Sequence, residues 1–300
     1  MLRSYLLLIF CVTAWGSNFV FGKMLVAEFS PLFLSVMRLL FIALFLLIWA
    51  KGRLAIPKLS RRDWLLVAAL GIVGVGVNQW SFYKGLVTAD PTTSSLILAL
   101  TPVTTALLAA LFLKEALTWR MGLGAVIGTA GVLFVIYTGA ELHFDVGILW
   151  IVLTMLTFAA SIILVRILGH RLPPLVTTLF SNLIGFGALL PFLVASLPQV
   201  AYSPRLASWL LLFVTAVVMH GIVTLIWNSQ LQKVGAAKAA MFSNLEPFIA
   251  MLFGFFLLAK PITAVQLFGA VLIIAGVTLT TTSKEPRDQH ELSSFPTGVK

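Results

Sequence analysis

The chain has 300 residues, is 60% hydrophobic and 10% charged, and has a mean hydropathy of +1.06, which leaves too little polar surface for a soluble domain. Its net charge of +10 could suggest nucleic acid, but sorting of the basic residues to one side of a membrane explains it better. The single cysteine, Cys11, excludes a disulfide within the chain.

Apolar runs of about 20 residues recur, each long enough to cross a bilayer core. They do not alternate as barrel strands do. The first run, after Arg3, resembles a signal peptide, but no small-residue cleavage site follows and "AWGSNFVFGK" continues the span. It is read as the first of ten helices, 4–25, 30–50, 64–88, 91–113, 119–138, 146–167, 174–196, 206–231, 236–258 and 262–282. The breaks carry turn chemistry, as in "AEFSP", "KGRLAIPKLSRRD", "TADP", "LPQVAYSPR" and "LAKP". The polar stretch 283–300 is expected to be a disordered cytoplasmic tail.

With the N-terminus in the cytoplasm, fifteen of the twenty Lys and Arg residues fall at cytoplasmic helix ends, among them Arg3, Lys51, Arg61, Arg62, Arg120 and Arg171. Lys23, Lys84, Arg205 and Lys260 remain on the other side, and "GAELHFD" there has acids but no Lys or Arg. The positive-inside rule therefore places both termini in the cytoplasm, with the chain in the inner membrane of a bacterial-type cell.

Displaced by 145 residues, the sequence matches itself. Trp64 meets Trp209, Gly76 meets Gly221, Pro102 meets Pro247, Gly124 meets Gly269 and Gly131 meets Gly276. In the first two helices the offset is 143, pairing Lys23 with Arg166 and Pro31 with Pro174. The expectation is an all-α integral membrane protein with ten transmembrane helices as two inverted five-helix repeats. The first repeat is 1–138, the loop 139–145 and the second repeat 146–282. Five helices per repeat is odd, so the second repeat enters the membrane inverted, as in many secondary transporters whose substrate sites lie at the midplane.

The stretches "AWGSNFVFGK", "SPLFLSVMRLLFIAL", "LALTPVTTALLAALFLKEALTWRMGLGAVIGTAGV" and "NLEPFIAMLFGFFLLAKPITAVQLFGAVLIIAGV" together resemble the EamA-type transporters of the drug/metabolite transporter superfamily. The likeness covers nearly the whole chain apart from the tail. It implies a central cavity lined by helices 1, 3, 4, 6, 8 and 9, and substrates such as amino acids or related amphipathic metabolites. One departure stands out: the first repeat ends helix 4 with Lys114-Glu115, whereas the second has Lys260 where the acid is expected.

Ionisable groups deep in a membrane are costly and face protein or water. Arg38 and Glu246 are the deep charges. Glu246 precedes Pro247 as Thr101 precedes Pro102, so it either supports a proline kink or lines a wet cavity where it binds a cation or couples protons. Arg38 is read as structural, with Pro102 and Pro247. The polar census also agrees with the six cavity helices. It gives as substrate-binding candidates Trp15, Asn18, Asn78, Tyr83, Thr101, Ser161, His220, Trp227, Asn244 and Glu246, the last also the coupling candidate. For any single Ser or Thr, helix packing is the commoner role. Gly124 and Gly128 form a GxxxG pair that serves packing within the bundle or between protomers.

No HExxH, GxSxG or GxxxxGK[ST] motif occurs, so neither catalytic residues, metal ligands, cofactors nor nucleotide-driven pumping are expected. The reading is a secondary active exporter of small organic metabolites working by alternating access, with the lipid bilayer and a small-molecule substrate as partners. A proton-coupled importer, a passive channel and a membrane-embedded enzyme stay open as alternatives.

Overall fold

Proline fixes where several helices start. Pro31, Pro91 and Pro174 each occupy the first turn of a helix, where the missing N–H costs no hydrogen bond. Asp90 caps the second of these starts, its carboxylate accepting from the Thr92 and Thr93 amides. Ser60 and Asp63 form a reciprocal capping box before another. The structure, a computed structural model, describes residues 2–52, 57–113, 118–138, 141–142, 145–169, 171–224, 226–227, 230, 242 and 245–281.

The described helices run in order: α1 Leu2–Val26, α2 Pro31–Ala50, α3 Arg61–Leu86, α4a Pro91–Leu98 with α4b Thr101–Leu113, α5 Trp119–Ile136, α6 Val146–Gly169 and α7 Pro174–Ser196. They continue with α8 Leu206–Ala216 and its π-helical extension Val217–Ile222, α9 Glu246–Leu258, and α10 Ala264–Thr281. Six spans are long and apolar enough to cross a membrane, and four more helices are shorter but apolar. Between the repeats, two-residue strands Tyr137–Thr138 and Glu141–Leu142 pair antiparallel.

One expectation about continuity is corrected. The fourth helix is not one bent rod: a turn at residues 99–100 separates α4a from α4b, and Pro102 lies in the first turn of α4b. Pro102 therefore opens a half-helix, where a missing donor is harmless. The described part of α9 starts at Glu246, with Pro247 in its first turn. Most of 236–245, read as the start of helix 9, lies outside the described residues.

The repeats pack with a pseudo-two-fold relation. A Cβ at Gly131 would lie 3.0 Å from the Gly269 carbonyl oxygen, and one at Gly276 would lie 2.5 Å from that of Gly124. These are the same two repeat positions meeting with roles exchanged. They hold α5 against α10, so the GxxxG pair serves packing within this chain. The α1–α9 contact likewise mirrors α6–α4, and α3–α7 mirrors α8–α2. Between these pairs lies a core of Phe19, Tyr83, Leu96, Ile151, Ala250 and Ile273. Large apolar side chains such as Ile48, Leu111, Phe112 and Phe256 stay exposed, as lipid-facing positions do.

The end of the bundle opposite the start of α1 is tied across the repeats. Glu28 meets Arg205 at 3.1 Å and accepts from the Ser203 hydroxyl at 2.6 Å, while the Ser30 amide donates to the Ala201 carbonyl. Lys260, the residue standing where an acid was expected, pairs with Asp90 of the first repeat at 3.0 Å. The Lys23 ammonium donates to the carbonyls of Leu86, Val87 and Ala89 and so caps the end of α3.

Candidate functional site

Both α3 and α8 widen into π-helix near mid-span, over Leu70–Val77 and Val217–Ile222. Shifted by 145 residues, the second segment falls inside the first. Such bulges concentrate at functional sites. The widened turn of α8 carries His220 and lets Gly221 approach Phe45 of α2, while Gly76, its counterpart, approaches Gly185 of α7.

Around these segments the polar candidates fall into three groups. In the first, Arg38 of α2 is 2% exposed, and its Nη1 donates to the Asn18 carbonyl oxygen at 3.0 Å and to the Tyr83 hydroxyl. Tyr83 is fully buried, and His220 lies within electrostatic reach of the guanidinium. In the second, Asn78 Nδ2 donates to the Thr154 carbonyl at 2.9 Å and to Thr157 Oγ1 at 3.0 Å, tying α3 to α6. Sequence reasoning missed Ser81 and Thr154, whose hydroxyls meet at 2.8 Å beside this pair. Their signal was available: Ser81 stands one helical turn from Asn78 on the same face. In the third, Trp15 and Trp227 pack with ring centroids 4.9 Å apart, joining α1 to α8.

The remaining candidates stand apart. Thr101 Oγ1 donates to the Leu98 carbonyl and closes the break between α4a and α4b. Ser161 donates to the Phe158 carbonyl and packs against Gly74. Glu246 is half-buried at the start of α9, and its carbonyl oxygen lies 2.8 Å from where a Gly16 Cβ would be. Among the described residues, Arg38 and Glu246 form no ion pair. Arg38 bonds Asn18 of α1, and the backbone carbonyl of Glu246 lies against Gly16 of the same helix. Asn244 lies outside the described residues.

His220 and Thr224 line a cavity of about 50 Å³ with Ile42, Leu46, Leu175 and Thr178. Small-molecule pockets usually enclose about 300–1,000 Å³. This space takes water rather than an organic ligand, and the polar groups around it are closely packed.

Ten apolar helices in two inverted repeats, with buried polar groups gathered between them, define a multi-pass membrane transporter. The EamA-like transporter family model matches residues 2–137 and 145–282, and the chain belongs to that family. It is similar to the "Uncharacterized transporter YyaM" of Bacillus subtilis (strain 168), 31% identical over 92% of each chain. It is also similar to the "Probable terminal-alkyne amino-acid exporter" of Streptantibioticus cattleyicolor, 27% identical over 91% of each. A solved crystal structure shares the fold with a TM-score of 0.64 at 17% identity, over 92% of this chain and 95% of that one.

Proposed function

We propose that the protein is a secondary active exporter of small organic metabolites such as amino acids, working by alternating access in a cell membrane with both termini in the cytoplasm. The repeats, taken as 1–138 and 146–282 about the loop 139–145, rock against each other around a midplane site. That site draws on Trp15, Asn18, Tyr83, His220, Trp227 and Glu246, with Asn78, Thr101, Ser161 and Asn244 in the surrounding wall.

The observation that carries this reading is a pair of matched contacts at opposite ends of the bundle. At the far end, Glu28 after α1 meets Arg205 before α8. At the termini end, Arg171 after α6 meets Asp63 in the first turn of α3, at 3.5 Å. Glu28 and Arg171 are repeat counterparts at the 143 offset, and Arg205 and Asp63 stand at the corresponding helix starts. Rocking about the pseudo-two-fold axis opens one of two equivalent closures while the other holds, which is what alternating access requires. The amino-acid class is supported by the name of the Streptantibioticus relative.

The test is flux from proteoliposomes loaded with a mixture of amino acids, with and without a proton gradient. Gradient-dependent, saturable release supports the exporter. Non-saturable flux unaffected by any gradient supports a channel instead.

A further inference from the structure

Arg38 carries a full charge at mid-membrane depth, and its surroundings do not neutralise it. Only its Nη1 is used, on two neutral acceptors, Asn18 and Tyr83. Its Nε is buried without a hydrogen-bond partner, and no described residue accepts from Nη2. The Nε–Nη2 edge of a guanidinium is a planar two-donor fork that matches a carboxylate.

The chain has ten acids, and none of those described pairs with Arg38. Glu28, Asp63 and Asp90 pair with Arg205, Arg171 and Lys260. Asp145 accepts from the Gly147 amide at the start of α6. Glu246 forms no ion pair with Arg38 among the described residues. Glu115, Glu285, Asp288 and Glu291 lie outside the described residues. A purely structural arginine at this depth would be expected to hold an acid, because a buried charge without a counter-charge is costly. The Tyr83 hydroxyl accepts from Arg38, so its own proton is available to a second acceptor at the same place.

We propose that Arg38 is the substrate's anion site: its Nε–Nη2 edge binds the carboxylate of the transported metabolite, with the Tyr83 hydroxyl as an additional donor. The proposal rests on the transporter reading and narrows its substrates to small carboxylates, amino acids among them. Asn18 is then a positioning residue, holding Nη1 so that the free edge faces the substrate.

The test uses the purified full chain in detergent and follows thermal unfolding with a panel of twenty amino acids, their methyl esters and the matching des-amino carboxylic acids. At least one carboxylate should raise the melting temperature, and its ester should not. Arg38→Gln should weaken that carboxylate about 10–100-fold, Arg38→Lys should recover part of the loss, and Tyr83→Phe should cost several-fold. If Arg38→Gln does not fold, the acid–ester comparison on the unaltered chain and Tyr83→Phe still decide. An ester that binds as well as its acid overturns the anion site and leaves the amino-acid reading standing. Des-amino acids that bind as well as amino acids keep the anion site and remove the amino-acid reading. Stabilisation by no carboxylate at all removes both.

Discussion

The two repeats differ chemically at matched positions, the starts of α4b and α9. In each, one residue precedes a proline in the helix's first turn. The first repeat puts Thr101 there, and its hydroxyl is spent on the Leu98 carbonyl. The second puts Glu246 there, and the described residues offer its carboxylate no partner. The same position thus carries a self-satisfied hydroxyl in one half and, among the described residues, an acid without a partner in the other. Duplication supplied the architecture twice, and substitutions such as this one and Lys260 made the halves chemically unequal.

The largest effect should come from disturbing what the repeats still share. Gly276→Leu and Gly131→Leu each drive a side chain into backbone of the opposite repeat. Both should abolish recovery of monodisperse protein, since overpacking alone costs about 1–3 kcal/mol and backbone cannot yield. Gly122→Leu, with open space around its Cβ, should leave recovery unchanged. Survival of only one of the first two would show that the α5–α10 contact is less symmetric than its geometry.

Next comes the divergent position itself. Glu246→Gln keeps size and hydrogen-bonding capacity but removes the titration. If Glu246 couples protons, the variant should fold, exchange substrate for substrate, and lose gradient-driven transport together with its pH dependence. Glu246→Thr, which makes the second repeat resemble the first, should behave alike. An unchanged pH profile at normal rate in proteoliposomes would reduce Glu246 to a helix-start residue.

A smaller effect is expected at Asn78. Its two hydrogen bonds to α6 suggest that Asn78→Ala lowers stability by about 1–2 kcal/mol. Denaturation midpoints and substrate affinity, measured side by side, separate packing from binding. A loss of affinity at unchanged stability would return Asn78 to the binding site.

Smallest are the matched ion pairs. Arg205 and Arg171 are 74% and 58% exposed, so neither pair should contribute more than about 1 kcal/mol. Glu28→Gln should therefore barely move the melting temperature. Asp63→Asn should cost somewhat more, because Asp63 also accepts from the Ser60 amide and hydroxyl in the capping box. Their signature lies in access: cysteines near Ser203 should label faster in Glu28→Gln, and cysteines near Arg171 faster in Asp63→Asn.

The sequence by itself determined the ten apolar spans, the inverted duplication and the helix starts marked by Pro31, Pro91 and Pro174. Each is local or periodic: span length follows bilayer thickness, and proline acts on its own turn. It also showed that Arg38 and Glu246 are deep charges. Tertiary structure decided what those charges meet. Asn18 and Tyr83 lie 20 and 45 positions from Arg38, and among the described residues no ion pair joins Arg38 to Glu246, a matter of packing that no spacing encodes. The same holds for Pro102. It reads as a kink because the apolar run continues through it, yet it lies in the first turn of a separate half-helix. Hydropathy cannot tell a bent helix from a broken one, because both bury the same apolar residues and differ only in which backbone groups find partners.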